Sequence, residues 1–213
     1  MTPPAFDPAF AQQFETLLRW RRDVRHFAAR SVSEQDMRAV LHAAAFAPSV
    51  GNAQPWRFVR VRSLALREQL ADHVDAVSAD AARAIADATL RARYQTLKLH
   101  GIREAPELLA VFSDEHPPAG HGLGRSTMPE MLRYSTVMAI HTLWLAARVR
   151  GIGLGWVSIL EPGAVAALLD VPADWTLIAL LCVGYPAAPA DTPELERRDW
   201  QAREPIADRI IER

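Results

Sequence analysis

The stretch from Pro129 to Arg150 constrains the fold more than any other part of the chain. Val137, Met138, Ile140, Leu143, Trp144, Leu145, Ala147 and Val149 place apolar side chains around most of a helix, and Pro129 suits its first turn. A helix that is greasy nearly all round must be covered nearly all round, so it is expected either at the centre of the fold or at a subunit interface. Four apolar runs can supply strands to pack against it: Phe58 to about Arg62, Leu108 to Phe112, Gly153 to Leu160, and Trp175 to Tyr185, the most apolar of them. Further helices are expected from Ala9 to about Trp20, from a Ser33 cap up to Pro48, and from Glu161 to Leu169. Leu64 to Gly101 lacks Gly and Pro before its end and reads as one or two long helices, broken near Asp87 to Arg91. Helices dominate without regular alternation with strands, so the fold class is α+β.

A chain of 213 residues is expected to form one domain, spanning 1–213, with a sizeable core. The formal net charge of −1 offers no basic field for nucleic acid or an anionic membrane surface. Cys182 is the single cysteine, which excludes an intrachain disulfide framework and fits a reducing cytoplasm. No apolar segment follows Met1, and each long hydrophobic run is broken by charge, Gly or Pro. Neither signal peptide nor membrane span is expected, and the location expected is cytoplasmic. Pro3, Pro4 and Pro8 predict an extended arm over 1–8. Residues 186–213 are polar and Pro-rich with few core positions, and are expected to wrap a second subunit.

The chemistry is local. Arg21-Arg22-Asp23-Val24-Arg25 puts three guanidinium groups and one carboxylate into five residues at the end of the first helix. Arginine's planar fork matches phosphate oxygens, and the lone acid can neutralise a neighbour or move a proton. Taken alone, the pentapeptide reads more often as a solvated, self-paired helix end. Ala47 to Trp56, with two prolines, a glycine and an asparagine, predicts a rigid irregular loop, neither helix nor strand, able to grip a ring system. Ser158, flanked by Val157 and Ile159, is either a hydroxyl aimed into a pocket or a core serine bonded to backbone. Ser113 to Thr127 is rich in Gly and Pro and predicts a lid. No histidine pair has metal-ligand spacing, and Ser158 lacks the glycine frame of a hydrolase elbow. Gly151, Gly153 and Gly155 match a dinucleotide fingerprint only loosely, because they precede a strand. The residues alone lead to a phosphate-bearing cyclic ligand in a largely apolar pocket.

Four stretches carry a resemblance: Arg21 to Arg25; Ala47 to Gly51 with Gln54-Pro55-Trp56; His121 to Gly124 with Thr127 to Glu130; and Leu154 to Ile159. In these the chain resembles the nitroreductase-like flavoproteins, and within them the 5,6-dimethylbenzimidazole synthase branch. Asp23 is the sharpest discriminator, since ordinary nitroreductases usually carry serine there. Asn52-Ala53 departs from the branch, where some members have bulkier apolar residues. The resemblance implies helices around a mixed β-sheet in an intertwined homodimer, with a flavin site at each interface. It implies reduced FMN as substrate and O2 as co-substrate, fragmenting the flavin into 5,6-dimethylbenzimidazole and erythrose 4-phosphate, with a separate flavin reductase supplying reduced FMN. By that resemblance Arg21, Arg22, Val24 and Arg25 form the flavin-binding segment, and Ser49 and Leu99 line the flavin. Asp23 and Ser158 take the chemical roles, the carboxylate as base toward the ribityl carbon and the hydroxyl as donor near the ring. Neighbouring arginines would lower the Asp23 pKa and desolvation would raise it. The competing readings are an NAD(P)H-dependent FMN nitroreductase and a non-catalytic flavin carrier.

Overall fold

A four-stranded sheet in the order β1 (Trp56–Arg60), β2 (Glu107–Asp114), β4 (Trp175–Gly184), β3 (Gly153–Val157) forms the middle layer. The computed structural model describes residues 3–213, so the first two residues of the expected N-terminal arm lie outside the described residues. All three strand pairs are antiparallel. The parallel component of a mixed sheet comes from a bridge between Asp23 and Leu154.

The central strands are apolar on both faces because both faces are covered. Leu108, Ala110, Phe112, Leu180 and Cys182 face Leu70, Ala71 and Val74 of α3 (Leu64–Ala84) and Val165 of α6 (Pro162–Leu168). The alternate residues, Leu109, Val111, Leu181 and Val183, pack with Met37 and Val40 of α2 (Glu34–Ala43) and with Ile140, Leu143, Trp144 and Ala147 of α5 (Met131–Val149). The greasy helix is thus central to one face of the sheet. Its other flank leaves Tyr134 and Val137 exposed.

Local chemistry sets several boundaries. Ser33 caps α2, accepting from the Asp36 amide at 3.0 Å, and Asp87 caps α4 (Ala88–Gln95), accepting from the Leu90 amide at 2.8 Å. That second cap marks the expected break after α3. The α2 helix stops at Ala43 instead of running to Pro48, tightening into a 3-10 turn over Ala44–Phe46. The loop that follows is irregular apart from a short 3-10 turn at Val50–Asn52, built on left-handed Gly51 and Asn52. Ser113 and Asp114, expected in the lid, belong to β2. β3 ends at Val157, paired with Leu180, so Ser158 lies beyond the strand, where the chain departs toward α6.

At the N-terminus α1 spans Pro8–Trp20. At the other end the chain from Pro186 to Trp200 lies on its own protomer. Phe27 bridges Pro186, the Ala187 amide donates to the His26 carbonyl at 2.9 Å, and Trp200, after α7 (Glu194–Arg197), meets the Tyr94 ring at 6.1 Å. Residues 201–213 are exposed. Among the described residues no helix is long and apolar enough to cross a membrane.

Candidate active site

After Trp20 the backbone turns extended at Arg21 and runs beside β3. The Val24 amide donates to the Leu154 carbonyl at 2.8 Å, fixing the segment as a fragment of strand. Gly153 and Gly155 make this approach possible. A Cβ at Gly155 would overlap the Val24 carbonyl oxygen, and one at Gly153 would collide with the Val24 side chain. The glycines that loosely resemble a nucleotide fingerprint are therefore the socket of the arginine segment. The signal available in the sequence was their period of two in a strand, which marks a close backbone approach.

Asp23 is held at both oxygens. Its Oδ1 accepts from the Trp156 amide at 2.7 Å, and its Oδ2 accepts from Arg25 Nε at 3.0 Å with Arg25 Nη2 at 2.8 Å. Arg25 is largely buried and also donates to the Lys98 carbonyl at 3.3 Å. Burial pushes the Asp23 carboxyl above its ordinary value, outweighing the opposing pull of Arg25, the Trp156 amide and Arg21. The Arg21 guanidinium lies over the Trp144 ring, 4.7 Å from its centroid, and burial lowers its pKa. Arg22 donates to the Leu18 carbonyl at 3.0 Å, and burial followed by the nearby Arg203 lowers its pKa.

These side chains open onto a cleft of about 140 Å³ lined by Arg21, Arg22, Asp23 and Arg25 with Glu194 and Arg203 from the C-terminal segment. The Arg25–Lys98 contact joins it to a second cleft of about 260 Å³, where Leu99 sits half-buried beside His100. The structure thus brings Arg21, Arg22, Asp23, Val24 and Arg25 together, with Leu99 next door.

Two expected site residues line neither cleft. Ser158, expected within an apolar strand, is exposed two residues past Trp156, because β3 ends before it. Ser49 accepts from the Gln54 amide at 3.0 Å in the loop before β1, at the opposite edge of the sheet from Asp23. From β1 to the arginine segment beside β3 there are four strand spacings, about 19 Å. The glycine-rich segment expected to act as a lid lies beside the Ser49 loop. Gly120 packs against Gly51 and Ala53, and Gly124 against Val50. Among the described residues no cluster of three or more His, Cys, Asp or Glu is placed to hold a metal. Chemically, the arrangement offers a partly desolvated carboxylate fixed by directional donors beside cations that suit an anionic ligand.

Residues 18–185 match the model of the nitroreductase family. A 5,6-dimethylbenzimidazole synthase of Rhodospirillum rubrum is 54% identical over 204 residues, covering 96% of each chain. A second protein of that name, from Rhodobacter capsulatus, is 50% identical over 203 residues, covering 94% of this chain and 96% of the relative. Among solved structures, oxidized iodotyrosine deiodinase bound to FMN and 3-iodo-L-tyrosine superposes with a TM-score of 0.70 at 27% identity, covering 83% of this chain and 91% of that one. With this fold, this arginine segment and these relatives, the chain belongs to the nitroreductase family, in the branch of the 5,6-dimethylbenzimidazole synthases.

Proposed function

We propose that this enzyme is a 5,6-dimethylbenzimidazole synthase. It takes reduced FMN as substrate and, with O2, fragments it into 5,6-dimethylbenzimidazole, the lower ligand of vitamin B12, and erythrose 4-phosphate. The observation that carries the reading is Asp23, an acid where ordinary nitroreductases usually have serine, fixed between the Trp156 amide and Arg25 inside an arginine-lined cleft. The synthase relatives at 54% and 50% identity support it.

The donor set fits FMN. Guanidinium groups of Arg21, Arg22 and Arg25 suit its phosphate, ribityl and pyrimidine oxygens, and Val24 anchors that segment to the sheet. A cleft of about 140 Å³ is too small for the whole molecule. Pockets for ligands of that size run to about 300–1,000 Å³. The missing walls come from a second copy of the chain, which would bring its Ser49 loop and lid to the Asp23 cleft. The exposed Phe6, Phe10 and Phe14 on and before α1, and Tyr134 and Val137 on α5, are apolar surface suited to such a homodimer. In the same arrangement residues 201–213 reach over the partner.

Reduced flavin supplies the electrons for O2. Asp23 takes the proton from the ribityl carbon next to the ring, and its burial keeps it a stronger base than a solvated carboxylate. Ser158, at the exit of β3, offers its hydroxyl to the ring, and Leu99 lines it. The lid excludes water. Reduced FMN arrives from a separate flavin reductase, and the protein works in the cytoplasm.

The test is incubation with chemically reduced FMN in air, followed by mass spectrometry. 5,6-Dimethylbenzimidazole is the expected product, and recovery of intact, reoxidised FMN alone would overturn the proposal. Sustained NADH oxidation with the flavin conserved would instead identify a conventional nitroreductase.

A further inference from the structure

Arg21 carries its charge into a half-buried position where Trp144 provides the facing ring, its centroid 4.7 Å from the guanidinium carbon. Trp144 stands well inside α5, is 9% exposed, and packs in the core beneath the sheet, so its ring has one place to be. Its Nε1 is buried without a partner among the described residues. The indole is therefore used for its π face, not for its donor. The same ring lies near-parallel to that of Trp156, at 6.5 Å and 23°. Trp156 in turn supplies the amide that holds Asp23 Oδ1 at 2.7 Å. One buried indole thus stands between the cation and the residue that orients the carboxylate.

We propose that Trp144 is a positioning residue for substrate binding, presenting the Arg21 guanidinium in a single orientation to the anionic oxygens of FMN. This rests on the reading that Arg21 binds FMN. A free arginine side chain must lose its rotamer freedom when it grips a ligand, and the ring removes that loss in advance. The π face, and not the indole N–H, is what the role requires.

The experiment is a double-mutant cycle on the full-length protein, with oxidised FMN binding followed by flavin fluorescence and the melting temperature recorded for each variant. Trp144→Leu is expected to weaken FMN binding about tenfold, while Trp144→Phe, which keeps a ring and deletes an unpaired donor, stays within about threefold of wild type. In an Arg21→Ala background neither substitution at 144 should weaken binding further. Additive losses in that background, or equal losses for Leu and Phe, overturn the proposal. If Trp144→Leu does not fold, Trp144→Met, which fills much of the same space without a ring, replaces it in the cycle under the same criteria. Wild-type protein that binds FMN without forming product overturns the synthase reading and leaves this result standing, whereas wild-type protein that does not bind FMN overturns both.

Discussion

The Trp156 amide donates to Asp23 Oδ1 at 2.7 Å across 133 positions of sequence. A carboxylate held by a backbone donor on a buried strand has its direction set by the sheet, while its other oxygen answers to Arg25 alone. The base proposed for the reaction is therefore aimed by β3 and tuned chiefly by the Arg25 guanidinium.

That division predicts the pH profile. Burial raises the Asp23 pKa above 3.8. Only the ionised form accepts a proton, so product formation should be lost as pH falls through the raised value, not the ordinary one. Arg25 pulls that value down, so Arg25→Gln should move the acid limb of kcat/KM to higher pH, whatever it does to the amplitude. A limb at or below 3.8 would contradict this.

Asp23→Asn keeps the size of the side chain and an oxygen to receive the Trp156 amide, but it removes the base. FMN binding should survive, and product formation should fall by at least about 100-fold. Product quantified by mass spectrometry, beside a fluorescence binding curve, checks both halves. Product at the wild-type rate would remove Asp23 from the chemistry.

A methyl group at Gly155 would meet the Val24 carbonyl oxygen, which is backbone and cannot turn aside. Gly155→Ala should therefore lower stability by about 2 kcal/mol or more and weaken FMN binding, because the arginine segment must lift from β3. Gly163, in the first turn of α6, has open space around it. Gly163→Ala should change stability by less than about 1 kcal/mol, in the favourable direction, and leave product formation intact. Melting curves of the two variants, measured side by side, make the comparison.

Away from the site, Glu34 receives Arg60 through both carboxylate oxygens at 2.9 Å and Arg62 at 2.8 Å. These donors, Arg60 first, lower its pKa from 4.5 to about 2. Because the folded value lies below the unfolded one, the stabilisation is complete above pH 4.5 and is lost as pH falls through about 2. Glu34→Gln should lose less stability than wild type across that window in acid denaturation. The difference should shrink in about 1 M salt, since the pair is solvent-exposed.

What was legible in the sequence was what nearby residues decide. The Ser33 and Asp87 caps act over three residues, so the start of α2 and the break between α3 and α4 could be read directly. The central strands β2 and β4 were legible because burial on both faces makes them continuous apolar runs. The end of β3 is not legible, since the chain leaves toward α6 after Val157 although β4 runs on past Leu180 to Trp175, and Ser158 therefore falls outside the strand that its apolar neighbours predict. The role of Gly153 and Gly155 is not legible locally, because it is a contact with Val24, about 130 positions away. The opposite-edge positions of Asp23 and Ser49 follow from strand order, which no local pattern encodes. The arginine segment itself was recognisable by composition, but the indole beneath Arg21 was not, because Trp144 reads as one more apolar residue of a greasy helix.

The bridge between Asp23 and Leu154 has a further meaning for the solubility of the fold. β3 is the outermost strand on its side, and the arginine segment occupies part of the hydrogen-bonding row that such a strand would otherwise leave open to a passing chain. A substitution that detaches this segment would uncover sticky backbone while it dismantles the site. Variants here should therefore reveal themselves as aggregates as readily as inactive enzyme, and the freedom to drift at these five positions is limited from two directions at once.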